Sequence, residues 1–424
     1  MPSLRSAFRL IALAAAMASM PSWTLAQNYK ADELDKKLSS RGAIARNYVK
    51  GRGGDPAEFK AYIETYFFPS MTQPTAAGLE DLEDSHENLF KNFLYTANGP
   101  TQKYLHDEAM KFAKRVLGSS GYHPAVRNNA LLILGKLDDR YATDGGKPAP
   151  SAEANDLLCT LVTLGLNPEK SRPQYELVTA LVGLDRHARF FSELPRKQKS
   201  ELAKTLFRVL MTDELPSGFT KEVKDWVYVQ AASAVAKLGT PGPQGGLFAK
   251  AVAKRMADTS RSLETRAELA SQLAPMNAKP GDYDTKPVIK AIIDLSVAIA
   301  RQEADIANKF EDYQLARGQR FVASERSNMN HRMREGDSRE EGVVLVREGL
   351  VQHLRNLRAG VRAVKAATAD ENQAGLIAID EALSDTLDTT SNKDSIDLAV
   401  TDAIKQMAAR VEGAAAPDLA EREN

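Results

Sequence analysis

The sequence predicts an all-α protein. Apolar residues recur at three- and four-residue spacing along most of the chain, sustained period-two alternation is scarce, and Pro and Gly fall where helices should end. Composition agrees: the 424 residues are 43% hydrophobic and 26% charged, which excludes collagen-like, mostly disordered and disulfide-stapled classes. With 56 basic and 56 acidic side chains, no global charge draws the chain to nucleic acid or acidic lipid.

The first element is read as a leader rather than as fold. Residues 1–26 carry Arg5 and Arg9, an apolar run from Leu10 to Met20, then Pro21 and a small-residue exit at Ala26. This is the order of a secretory signal peptide, with cleavage expected after Ala26. A membrane anchor is the rival reading, but the run is shorter than the ~20 residues of a span. The expected location is periplasmic or extracellular, without stable membrane insertion after cleavage. The single thiol, Cys159, cannot form an internal disulfide, and its apolar neighbours make it a small hydrophobe.

Helices are then expected near 30–49, 56–67, 78–96, 101–117, 124–138, 152–165, 173–187, 196–211, 221–238, 246–257, 262–273, 287–316, 340–367, 373–388 and 394–413. The second begins on Asp55-Pro56-Ala57-Glu58, an N-cap, a first-turn proline and a carboxylate that can reach back to the cap. Phe59, Tyr62, Ile63, Tyr66 and Phe67 follow on one face as a core stripe. Ser338-Arg339-Glu340-Glu341 opens a later helix in the same way.

Residues 123–137 hold Val126-Arg127, then Ala130 and Leu134-Gly135-Lys136-Leu137. Val126, Ala130, Leu134 and Leu137 share one stripe, and Ala130 would let a partner helix approach closely. This segment resembles the second helix of a HEAT-type repeat. Weaker echoes lie at 175–184, 230–239 and 265–276, the last keeping the arginine as Arg266. The resemblance implies an irregular HEAT-like α-solenoid of antiparallel helix pairs over 27–276; a generic irregular helical domain is the plainer alternative.

The Pro- and Gly-rich stretch 277–287 is expected to be a linker. Beyond it Val288, Ile292, Leu295 and Ile299, and then Leu350, Leu354, Leu357, Val361 and Val364, step by four and three. These heptad-like, coiled-coil-type seams predict a C-terminal helical bundle or long hairpins over 288–413, with 414–424 a disordered tail.

Charge is uneven there. Residues 317–365 carry eleven basic and six acidic side chains, whereas 366–424 carry four and thirteen. The cluster Arg317, Arg320, Arg326, Arg332 and Arg334, in what reads as a helix connection, is the candidate partner-binding site. Either an acidic partner meets it or the acidic C-terminal helices fold back on it. Only Phe321 stands between these arginines, so single-stranded nucleic acid is not the expected partner.

Signatures of catalysis and cofactors are missing, so no catalytic, cofactor-binding or metal residues are assigned. His86-Glu87 begins like a zinc-protease helix, but Phe90 stands where the second His is needed. Gly145-Gly146-Lys147-Pro148 lacks the phosphate-loop spacing, and Gly118-Ser119-Ser120-Gly121 is not a nucleophile elbow. Asp138 and Asp139 are expected to be solvated. Trp226 and the Tyr62–Phe68 aromatics read as core. The expectation is an exported, non-catalytic interaction scaffold that binds a protein or peptide on a helical-repeat surface. The alternative is a secreted all-α enzyme acting on polysaccharide, such as an α/α toroid lyase or glycosidase.

Overall fold

The computed structural model describes residues 28–142, 146–169, 172–216, 218–315, 333–335, 343–345, 347–369, 373–391 and 398–420. Residues 1–26, the expected leader, lie outside them. Among the described residues helix dominates and strand is confined to four segments of two or three residues, so the class is all-α. The chain divides into two compact units, 1–234 and 235–424. Among the described residues no helix is long and apolar enough to cross a membrane.

In the first unit the main helices are α1 (Gly42–Val49), α2 (Pro56–Tyr62), α3 (Leu82–Asn88), α4 (Gly99–Leu117), α5 (Pro124–Lys136), α6 (Ala152–Gly165), α7 (Gln174–Arg189), α8 (Arg196–Met211) and α9 (Lys221–Ala236). α4 packs on α5, α5 on α6 and α7, and α6 on α7 and α8. α5 and α6 thus each meet both the next helix and the next but one. The expected stripe Val126, Ala130, Leu134 and Leu137 is fully buried. The closest approach falls elsewhere than at Ala130: a Cβ on Gly135 would lie 2.9 Å from the Cα of Gly183, so α5 and α7 cross almost backbone to backbone.

Arg127 locks that crossing. Only 6% exposed, it donates to Val116 O at 3.0 Å and Leu117 O at 3.4 Å, carbonyls of the last turn of α4, which lack i+4 partners within the helix. Its Nε donates to Glu176 Oε1 of α7 at 2.9 Å, and Arg172 reaches the other oxygen at 2.7 Å. Burial opposes the Arg127 charge, but the bond and charge of Glu176 outweigh it and raise its pKa.

Three expectations in this unit change. Residues 30–35 are not helical; helix starts at Lys36 as a 3₁₀ turn capped by Asp35. The run 78–96 is interrupted at Asp81. The helix expected to reach 138 stops at Lys136, where Leu137 turns extended, and β1 (Asp138–Arg140) pairs antiparallel with β2 (Ala149–Pro150). Asp138 is therefore buried rather than solvated, held by both nitrogens of Arg186 at 2.8 and 2.7 Å. Asp139 stays outside and caps Ala152 N at 3.0 Å.

The second unit contains α10 (Pro243–Ala257), α11 (Leu263–Ser271), α12 (Lys286–Leu315), α13 (Arg347–Ala367), α14 (Ala374–Ser391) and α15 (Leu398–Ala420). α10 packs on α11 and α12, α11 on α13, α12 on α13 and α15, and α14 on α13 and α15. The seams read from sequence are its core: Val288, Ile292, Leu295, Leu354, Leu357 and Val361 are all fully buried. A Cβ on Gly360 of α13 would lie 2.8 Å from that of Ala270 of α11. Because α11 packs so closely on α13, the 277–287 stretch connects helices of one unit. Regular helix in α10 begins after Gly246, since Gln244, Gly245 and Gly246 have positive φ.

Two more boundaries move. Helix expected from 340 begins at Arg347, preceded by β4 (Val343–Leu345), which pairs antiparallel with β3 (Met333–Glu335); the β-branched run Val343-Val344 suits a strand. The last helix continues to Ala420, through residues read as tail, because the alanines at 414–416 favour helix.

Candidate functional site

The candidate site lies in the first unit, where α1, α2 and α3 meet. α2 runs into a π turn, Ile63–Phe67, and α3 into another, Leu89–Leu94. Such turns widen a helix by one residue and recur at functional sites. Here they pack on each other through Phe67 and Phe93, whose ring centroids are 5.1 Å apart. Phe68 stacks on Phe112 of α4 at 5.1 Å. The aromatic stretch is thus a core ladder, as its spacing suggested.

One edge of the ladder opens on a depression of about 430 Å³, lined by Gly42 and Arg46 of α1, Tyr62 and Tyr66, and Asp81 and Asp84 at the start of α3. Tyr62 and Tyr66 have ring centroids 5.5 Å apart. Burial raises the Tyr62 pKa, the neighbouring Tyr66 adds to this, and Arg46 opposes it. The phenol is therefore a neutral donor at physiological pH.

A second depression, about 560 Å³, is lined by Asp32, Glu33, Asp35, Glu64 and Arg115. Apart from Glu33, its charges are already engaged. Asp32 accepts from Tyr122 at 2.6 Å and Arg115 at 2.7 Å, Glu64 accepts from Tyr104 at 2.8 Å, and Asp35 caps Lys37 N at 3.0 Å. These bonds tie the chain entry to α4 and leave little for a ligand.

Other arrangements with chemical potential resolve into structure. His106 Nε2 lies 3.1 Å from Ser151 Oγ and its Nδ1 3.6 Å from Asp107, the order of groups in a hydrolytic triad. But Ser151 is fully buried and its hydroxyl caps α6 at Ala154 N, so no substrate can reach it. His86 bonds Asn129 at 3.1 Å and is pushed down to about 4, chiefly by burial. Burial pushes the Cys159 thiol up to about 12, which suppresses the reactive thiolate. Trp226 is half-buried on α9. Among the described residues no group of three or more His, Cys, Asp or Glu is placed to hold a metal ion.

Of the basic cluster, Arg317, Arg320, Arg326 and Arg332 lie outside the described residues. Arg334 sits in β3 opposite Val344, in a two-stranded ladder where a helix connection was expected. Part of the charge asymmetry is consumed within the unit. Asp380 of α14 accepts from Arg358 at 2.9 Å and Lys365 at 2.6 Å of α13, and Arg301 of α12 meets Glu412 of α15 at 2.6 Å.

Sequence reasoning placed Tyr62 and Tyr66 on a core face and did not connect them with Arg46, Asp81 or Asp84. The available signal was the Tyr pair at i and i+4, whose rings share a face while the hydroxyls can reach its rim. No family model, curated protein or solved structure matches this chain.

Proposed function

We propose that this protein is an exported, non-catalytic interaction scaffold that binds a protein or peptide partner on the surface of its stacked helices. The observation that carries the reading is the packing order of α4 to α8, in which α4 packs on α5, α5 on α6 and α7, and α6 on α7 and α8. That order is what HEAT-like pairs produce, and such stacks expose a continuous ridged surface without needing any reactive group. Residues 1–26 supply the export step, and Arg317, Arg320, Arg326, Arg332 and Arg334 supply an electrostatic contact for an acidic partner.

Cross-linking in intact cells followed by mass spectrometry tests this. The scaffold reading expects one recurring protein partner, recovered less well at low salt from an Arg317→Glu/Arg320→Glu variant. Recovery of no recurring partner, together with depolymerisation of a polysaccharide by the purified protein, would replace the scaffold with the enzyme alternative.

A further inference from the structure

The depression at the start of α1 is lined by hydrogen-bonding groups that have no side-chain partner within the described residues. Tyr62 is only 4% exposed, yet its hydroxyl bonds to none of the described residues. That hydroxyl is not among the buried polar atoms left without a partner, so it opens on the depression, where it is free to donate. Arg46, half-buried, and Asp81 and Asp84, both exposed, make no side-chain bond or ion pair within the described residues, in contrast to Asp32, Asp35 and Glu64 of the neighbouring depression.

Gly42 shapes the slot between the donors. A Cβ there would lie 3.0 Å from the Tyr62 hydroxyl and 3.6 Å from an Arg46 guanidinium nitrogen. The backbone at Gly42 is right-handed helical, φ −56° and ψ −35°, so its conformation does not require glycine. What the missing side chain leaves is space flanked by two donors. Asp81 and Asp84 supply acceptors only.

This pattern selects a ligand. An anion drawn to Arg46 would meet two carboxylates, and a cation drawn to the carboxylates would meet the guanidinium. A neutral ring whose hydroxyls both donate and accept satisfies donors and acceptors alike, and its C–H face can lie on the half-buried ring of Tyr66. The volume, about 430 Å³, falls in the ~300–1,000 Å³ range of small-molecule sites. We infer that the depression formed by Gly42, Arg46, Tyr62, Tyr66, Asp81 and Asp84 is a binding site for a neutral saccharide. It is independent of the protein-partner reading.

Calorimetry of the full chain with glucose, galactose and N-acetylglucosamine oligomers tests it. Saturable binding of at least one is expected. Gly42→Ala should weaken it about tenfold or more by filling the slot, while helix content and Tm hold or rise, since alanine favours helix over glycine. Tyr62→Phe, which removes only the unpartnered hydroxyl, should weaken binding by roughly tenfold at most, the worth of one neutral hydrogen bond, and keeps the test open should Gly42→Ala fold poorly. No saturable binding of any of these sugars, binding indifferent to both variants, or uptake of zwitterionic glycine or serine in their place would overturn the proposal.

Discussion

Arg127 in the first unit and Arg266 in the second do the same task with different support. Each stands near the start of a helix and reaches back to the end of the one before, Arg127 to Val116 O at 3.0 Å and Arg266 to Met256 O at 2.7 Å. Both are buried. Arg127 also meets the buried carboxylate of Glu176, and its pKa is raised against the pull of burial. Arg266 has its pKa lowered by burial, with Asp294 and Asp258 opposing only through their charge. Capping of helix-end carbonyls is therefore the shared device, and the buried ion pair is an addition of the first unit. It makes α4, α5 and α7 depend on one another, whereas Arg266 joins only α10 and α11.

The comparison breaks most sharply at Glu176. Glu176→Ala leaves two guanidiniums facing a buried gap and should destabilise the first unit by about 3–5 kcal/mol, read as a shift of its unfolding transition. A loss below 1 kcal/mol would mean that Arg127 needs only its carbonyls.

Acid separates the units next. His86 in the folded first unit titrates at about 4 instead of 6.5, so the unfolded chain binds the proton first. Its contribution is complete above pH 6.5 and is lost as pH falls through 4, amounting to about 3 kcal/mol at ~1.4 kcal/mol per pH unit. His187, pushed down to about 3 by burial, acts in the same direction. Asp380 in the second unit differs: burial raises its pKa, but the bonds from Lys365 and Arg358 outweigh this and lower it. Its contribution holds until pH falls below the ordinary carboxylate range. Denaturation from pH 7 to 4 should show the first unit weakening, with a shallower slope in His86→Gln; an unchanged slope would remove His86 from the account.

A smaller effect tests the crossing itself. Gly135→Ala would drive a Cβ to 2.9 Å from the Gly183 Cα and should cost about 1–3 kcal/mol by overpacking, although alanine favours helix. A neutral or stabilised variant would show that α5 and α7 can separate freely.

The helices were legible in the sequence because their stripes are local. Val126, Ala130, Leu134 and Leu137, and likewise Leu354, Leu357 and Val361, are the residues that end up fully buried. Features that depend on long-range partners were not legible. Asp138 and Asp139 are the same residue type side by side, yet only the first meets Arg186, 48 positions away. The π turns at Ile63–Phe67 and Leu89–Leu94 use the same residue types as an α-helix, so periodicity does not reveal them. The depression was hidden for a related reason: Tyr62 belongs to the core stripe by its ring and to the site by its hydroxyl, and Arg46, Asp81 and Asp84 reach it only through folding.

Hydrogen exchange resolved by mass spectrometry on Arg127→Met and Arg266→Met tests the contrast between the units most directly. The account expects Arg127→Met to release protected amides at the end of α4 and along α7, while Arg266→Met loosens only the junction of α10 and α11. Equal and equally local losses in both variants would contradict it.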